Sequence, residues 1–279
     1  MSAYLINGEP GEQLPVTDRG LHYGDGVFET LKVQGPTLHH WHEHMARLRT
    51  GCDRLFLPKP DISLLEWEAR QLINSAAQSG NQNADQELSW ILKIIITRGS
   101  GQRGYRPPEP CHPSRIVALY PFPDFPVDYW SNGVRLTLCK MPLACNPHLA
   151  GIKHLNRLEQ VLARSEWDDP NVIDGVMLDL QQRVIETTMS NIFWIRQHQI
   201  FTPDLTECGV AGVMRNYVMQ LAKRLQLPVN IGQYSTEDLR AADEIFITNS
   251  VHGIWPVRQI DQFDFKAGPI TKQLMDEMV

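Results

Sequence analysis

The sequence predicts a mixed α/β or α+β protein of two domains. Strand-like and helix-like periodicities interleave in both halves of the chain, which is the pattern of sheets covered by helices. A proline-rich stretch, PFPDFPVDYW at residues 121–130, separates the halves and has few positions able to join a sheet ladder. At 279 residues the chain is long enough for two ordinary domains with real cores, and no internal repeat is visible. The expected division is an N-terminal domain over 1–120, a linker over 121–130 and a C-terminal domain over 131–279.

Alternating apolar and polar residues over 3–7 and 27–33 predict strands, with Gly24-Asp25-Gly26 as the turn between them. Apolar residues recur at helical spacing over 40–56 and 64–77, whereas 90–97 is a short apolar run typical of a buried strand. A further strand is read over 115–120. The second half opens with a strand over 134–139, followed by an amphipathic helix with Lys153 at its mouth and an apolar stripe of Leu155, Leu158, Val161 and Leu162. GVMLDL-QQ-RVIET reads as a hairpin, and 191–195 as a strand. A helix over 212–225 and a strand over 229–234 come next. Ser235 followed by Glu237 and Asp238 is a helix-start signal, and 244–248 is a strand.

Composition narrows the class. Apolar content of 42% with 21% charged residues is that of a soluble globular protein. A net charge of −6 disfavours nucleic acid or an anionic membrane as partner, so any site for an anionic ligand must be a local concentration of positive charge. The opening MSAYLINGEPGEQ lacks the basic and apolar regions of a signal peptide, and no apolar run reaches membrane-spanning length. Five cysteines, an odd number without a C-x-x-C pair, fit reduced thiols in a cytoplasm.

Lys153 follows a loop broken by proline and glycine and precedes Asn156-Arg157. A lysine presented from such a junction can form a Schiff base if its surroundings keep the amine available. An isolated lysine there is ordinarily a surface charge, so the reading depends on three further features. Glu186 lies in RVIETTMSNIF, Arg47 in HMARL, and Asn249 in FITNS. A lysine for an imine, a carboxylate for a ring nitrogen and an arginine for a phosphate form the residue set that pyridoxal phosphate requires.

Two other motifs have competing meanings. HHWHEH (39–44) places His40 and His44 four apart, but no carboxylate or cysteine cluster pairs with them and the helix phase is needed for Arg47; no metal is expected. Gly99-Ser-Gly-Gln-Arg-Gly104 spells a dinucleotide fingerprint, yet the following Tyr-Arg-Pro-Pro-Glu-Pro cannot open the helix that fingerprint needs.

In this order, these motifs resemble the fold-type IV pyridoxal-phosphate family, which holds the branched-chain and D-amino-acid aminotransferases and aminodeoxychorismate lyase. The resemblance runs from Tyr4 to about Pro256, and NPHLAGIKHLNRLEQVL and RGSGQRGY look like the lyase branch. It implies a smaller N-terminal α/β domain, a larger C-terminal pseudo-barrel domain, and a homodimer with interfacial active sites. It also implies roles. Lys153 is the cofactor lysine and the base; Glu186 holds the pyridine nitrogen; Arg47, the amides of Val213 and Met214, and Asn249 hold the phosphate. Arg103 and Tyr105, on a loop that in relatives crosses to the other subunit, and Phe28 are the expected substrate contacts.

The implied reaction is conversion of 4-amino-4-deoxychorismate to 4-aminobenzoate and pyruvate, by Schiff-base formation, proton abstraction and loss of enolpyruvate. The alternatives are an aminotransferase on the same scaffold, which Gly26-Val-Phe-Glu29 favours, and a cofactor-binding protein without turnover.

Overall fold

A computed structural model of the chain describes residues 3–79 and 89–278. The chain forms two compact units, Met1–Asp124 with Ile152–Asn156, and Phe125–Gly151 with Arg157–Val279. The sequence had suggested 1–120 and 131–279 around a linker. The division falls after Asp124, within that 121–130 stretch, and the short segment bearing Lys153 groups with the first unit.

In chain order the first unit contains β1 (Ala3–Ile6), β2 (Glu9–Pro10), α1 (Arg19–Tyr23), β3 (Gly26–Gln34), β4 (Thr37–Leu38), α2 (Trp41–Arg54), α3 (Ile62–Ser79), β5 (Ser89–Thr97) and β6 (Ser114–Pro121). Its strands form an antiparallel sheet in the order β2-β1-β6-β5-β3-β4. One sheet face is apolar because alternate residues point the same way. Leu31, Val33, Leu92, Ile94, Val117 and Leu119 from the sheet pack with Met45 and Leu48 of α2 and Leu65 and Ala69 of α3.

The second unit contains α4 (Asp128–Ser131), β7 (Val134–Leu138), α5 (Leu158–Arg164), β8 (Val172–Leu178), β9 (Val184–Thr187), β10 (Asn191–Arg196), β11 (Gln199–Pro203) and α6 (Val213–Arg224). It continues with β12 (Val229–Gly232), α7 (Thr236–Arg240), β13 (Glu244–Asn249), β14 (Gly253–Ile260), β15 (Phe263–Asp264) and α8 (Pro269–Asp276). Its sheet runs β12-β11-β10-β13-β14-β7-β8-β9, with β15 paired to β14. The pairs β11/β12, β14/β7 and β7/β8 are parallel. The Val184 amide, on β9, donates to the Tyr234 carbonyl just beyond β12 at 2.8 Å, so the ends of the sheet meet as a pseudo-barrel requires. Successive residues serve opposite faces: Trp194 packs with Ile247 and Trp255, whereas Phe193 packs with Phe246 and the helices α6 and α8.

Three sequence expectations need correction. Helix α5 begins at Leu158, five residues after Lys153, because the backbone of 153–155 is spent on pairing with β3. The apolar stripe of that helix is not core: Leu158, Val161 and Leu162 are 75, 57 and 54% exposed. The proline-rich 121–130 stretch holds the short helix α4, whose Tyr129 and Trp130, with Phe125, pack edge-on against Trp255. Among the described residues, no helix is long and apolar enough to cross a membrane.

Candidate active site

In the first unit, β3 positions the lysine. Strand β4 covers only Val33 and Gln34 at one end of β3, so the edge near Gly26 is open to another segment. Residues 153–155 occupy it. The Phe28 amide donates to the Lys153 carbonyl at 2.9 Å, the Leu155 amide donates to the Gly26 carbonyl at 3.0 Å, and His154 bridges Val27. The approach requires glycine at 26, where a Cβ would lie 2.4 Å from the Ile96 carbonyl oxygen and 2.8 Å from Leu155 Cδ1. Asn156 closes the segment by donating to the Gly24 carbonyl. This pairing brings Lys153 Nζ to 4.4 Å from the centre of the Phe28 ring. Lys93 lies within an apolar strand, where no motif marks it. Alternation on β5 nevertheless turns it to the same ring, with its Nζ at 5.4 Å. Two cationic side chains therefore face Phe28.

The H-x-x-R pattern has a physical meaning here. Residues three apart share a helix face, and His44 and Arg47 both reach Glu29 on β3. Arg47 donates from Nε at 2.8 Å and from Nη2 at 2.6 Å to the two carboxylate oxygens, while His44 Nδ1 lies 2.6 Å from Oε2. Burial alone would raise the Glu29 pKa, but Arg47, seconded by His44, holds it down at about 2. Glu29 thus fixes the plane of the guanidinium.

The lowered value has a sign that can be tested. Its stabilisation is complete above the unfolded-state value of about 4.3 and is lost as pH falls through about 2. Glu29→Gln should lower the unfolding free energy at neutral pH by roughly 3–5 kcal/mol, the cost of breaking a buried pair. In urea titrations this deficit should shrink steadily below pH 4. A deficit independent of pH would overturn the pairing.

In the second unit, Glu186 on β9 is nearly buried, and its Oε2 accepts the Val210 amide at 2.8 Å. Asn191, at the start of β10, donates from Nδ2 to the Val210 carbonyl at 2.9 Å. The Glu-x4-Asn spacing therefore brackets one residue from both sides, which fixes the carboxylate. Gly209 supports the approach with φ +80°, where a Cβ would sit 2.8 Å from Ile185 Cγ2. Two residues beyond Val210, Gly212 begins α6 without a side-chain cap, so the amides of the first turn, at Val213 and Met214, lack a side-chain acceptor from the N-cap. Gly212 is a cradle in the literal sense: a Cβ would fall 2.0 Å from Asn191 Oδ1. An uncapped twelve-residue helix start beside a held carboxylate fits a ligand carrying both a phosphate and a basic ring nitrogen.

Asn249 is placed beside this region, but both ends of its amide are engaged. Its Oδ1 accepts the amides of Val251 and His252, and Nδ2 donates to Ser190 Oγ and the Met189 carbonyl. Its visible task is to pin the turn after β13 to the residues before Asn191. Arg103 and Tyr105 are exposed in the first unit. Arg19 fastens their loop by donating to the carbonyls of Gly104 at 2.9 Å and Tyr105 at 3.0 Å, a tether that no local motif announced. The Tyr105 ring rests 5.4 Å from that of Tyr23.

Residues 26–260 match the family model for amino-transferase class IV. The chain is 35% identical over 280 residues to an aminodeoxychorismate lyase of Vibrio harveyi, covering 99% of both chains. It is 29% identical to a putative branched-chain-amino-acid aminotransferase of Methanocaldococcus jannaschii, covering 99% of this chain and 95% of the relative. Among solved structures, 4-amino-4-deoxychorismate lyase from Pseudomonas aeruginosa superposes with a TM-score of 0.89 at 43% identity, covering 99% of this chain and 97% of that one. The chain belongs to the class IV aminotransferase family, the fold-type IV pyridoxal-phosphate enzymes.

Proposed function

We propose that this chain is a pyridoxal-phosphate-dependent lyase that converts 4-amino-4-deoxychorismate to 4-aminobenzoate and pyruvate. The observation that carries the reading is end-to-end likeness to two aminodeoxychorismate lyases, at 35% and 43% identity, against 29% for the aminotransferase. When bound, pyridoxal phosphate supplies an electron-withdrawing ring that accepts charge from the carbon bearing the substrate nitrogen.

The residues have separate tasks. Lys153 supplies the amine that anchors the cofactor and, once displaced by the substrate amine, takes the proton from that carbon. Glu186, fixed by the Val210 amide, keeps the ring nitrogen protonated. Arg47, oriented by Glu29, and the amides of Val213 and Met214 receive the phosphate, and Asn249 shapes the neighbouring turn. Loss of the enolpyruvyl ether leaves an aromatic ring, which makes elimination downhill.

Substrate carboxylates must be captured by a protein of net charge −6. Arg103, with Tyr105 beside it, is proposed for this, and Lys93 adds positive charge beside Phe28. The protein is further proposed to be a cytoplasmic homodimer. The exposed Leu158, Val161 and Leu162 on one helix support a protein partner, because soluble monomers rarely leave such a row uncovered.

Pyruvate release from 4-amino-4-deoxychorismate, followed with a coupled dehydrogenase, tests the function. No pyruvate, with transfer of an amino group from an amino acid to a 2-oxo acid, would assign the aminotransferase reading that Gly26-Val-Phe-Glu29 and the M. jannaschii relative favour. Arg103→Ala should raise KM about tenfold or more while leaving the cofactor spectrum unchanged, the signature of lost substrate binding alone. An unchanged KM would free Arg103 from that role.

A further inference from the structure

Five cysteines carry no role in the chemistry above, and two of them meet. Cys145, on the loop after β7, and Cys208, on the loop before α6, have sulfurs within 4.8 Å of each other and of the Asp179 carboxylate. Both thiols are reduced in the structure. Their loops are already joined by backbone: the Asn146 amide donates to the Glu207 carbonyl at 2.8 Å, and the Gly151 amide to the Gly209 carbonyl at 2.9 Å. We propose that Cys145 and Cys208 are a redox dithiol that closes to a disulfide on exposure to a peroxide and reopens with a thiol reductant.

A metal site is the other reading of two cysteines and an aspartate, and the surroundings disfavour it. Asp179 is saturated: Oδ1 accepts the amides of Gln181 and Arg183, and Oδ2 accepts Arg183 Nε at 2.5 Å. The Arg183 guanidinium also reaches Glu207 and lies 4.0 Å from Cys145 Sγ. A fixed cation beside the sulfur opposes a metal ion.

The roles of the two sulfurs follow from their surroundings. Cys145 is partly exposed, so it meets the oxidant; Cys208 is nearly buried behind it, so it resolves. The Cys145 sulfur attacks one peroxide oxygen, the O–O bond breaks and water leaves, giving a sulfenic acid. The Cys208 sulfur then attacks the Cys145 sulfur, the S–O bond breaks, and the departing hydroxide takes the Cys208 proton as a second water. Two thiols lose two electrons, and one peroxide gains them. The sulfurs must close to about 2.05 Å, a movement that side-chain rotation and loop adjustment would share.

The experiment treats the purified protein with hydrogen peroxide, blocks remaining thiols by alkylation, and digests with trypsin. Residues 141–153 and 197–215, the tryptic peptides holding Cys145 and Cys208, should be recovered as one linked species. It should be about 2 Da lighter than the sum of its parts and should disappear on reduction. Cys145→Ser and Cys208→Ser should each abolish it, whereas Cys111→Ser should leave it intact. Unlinked peptides under conditions that oxidise Cys111, or a link that forms only in urea, would overturn the proposal. Stoichiometric zinc in the purified protein, lost in both serine variants, would overturn it in favour of a metal site.

Discussion

Lys153→Ala protein will be colourless after dialysis and will release pyruvate at least about 10³-fold more slowly than the parent enzyme, since it lacks both the proposed covalent anchor and the proposed base. The loss should be chemical, not structural. Residue 153 is held to β3 through its backbone carbonyl, which alanine retains, so circular dichroism and urea midpoint should change little. The visible absorbance of bound pyridoxal phosphate and the coupled pyruvate assay read the two consequences separately. Full activity in this variant would end the assignment of Lys153.

Glu186→Gln should cost about 10²–10³ in turnover, the usual effect of removing one preorganised electrostatic partner. The substitution isolates charge from shape. A glutamine carbonyl can still accept the Val210 amide, so the loop before α6 should keep its place and the cofactor should still bind. What disappears is the negative charge proposed to hold the ring nitrogen protonated. Unchanged kinetics would move that role to another group.

Much of this was legible in the sequence, for reasons that differ by element. Strands β3 and β5 have long alternating or apolar runs, and the capping box of Ser235 and Asp238 was written in four residues. Strand β14 escaped notice because it carries Pro256 between two neighbouring strands, β13 and β7, where a proline usually argues against a strand. The five-residue α1 is too short for periodicity and depends on Asp18 accepting the Gly20 amide. The exposed stripe of α5 shows the limit of periodicity, which reveals that a helix has an apolar face but not what covers it.

The site divides in the same way. Glu186 and Asn191 could be read together because a single local motif holds both. The tie between Arg47 and Glu29 spans 18 positions and needs a helix and a strand to meet, so neither residue announced the other. Likewise Cys145 and Cys208 are 63 apart and become neighbours only through the loops that carry them.

The docking of 153–155 on β3 makes spacing as decisive as residue identity. In an extended segment, adjacent side chains point to opposite sides, so moving the segment along β3 by one position would present His154 where Lys153 now stands. Such a frame error would leave composition, charge and nearly every backbone hydrogen bond intact, yet replace a primary amine with an imidazole. The amine proposed for catalysis is therefore specified by the register of this segment against Gly26. Chain length through this stretch is a heritable part of the active site, and a one-residue insertion or deletion there is equivalent to mutating the lysine itself.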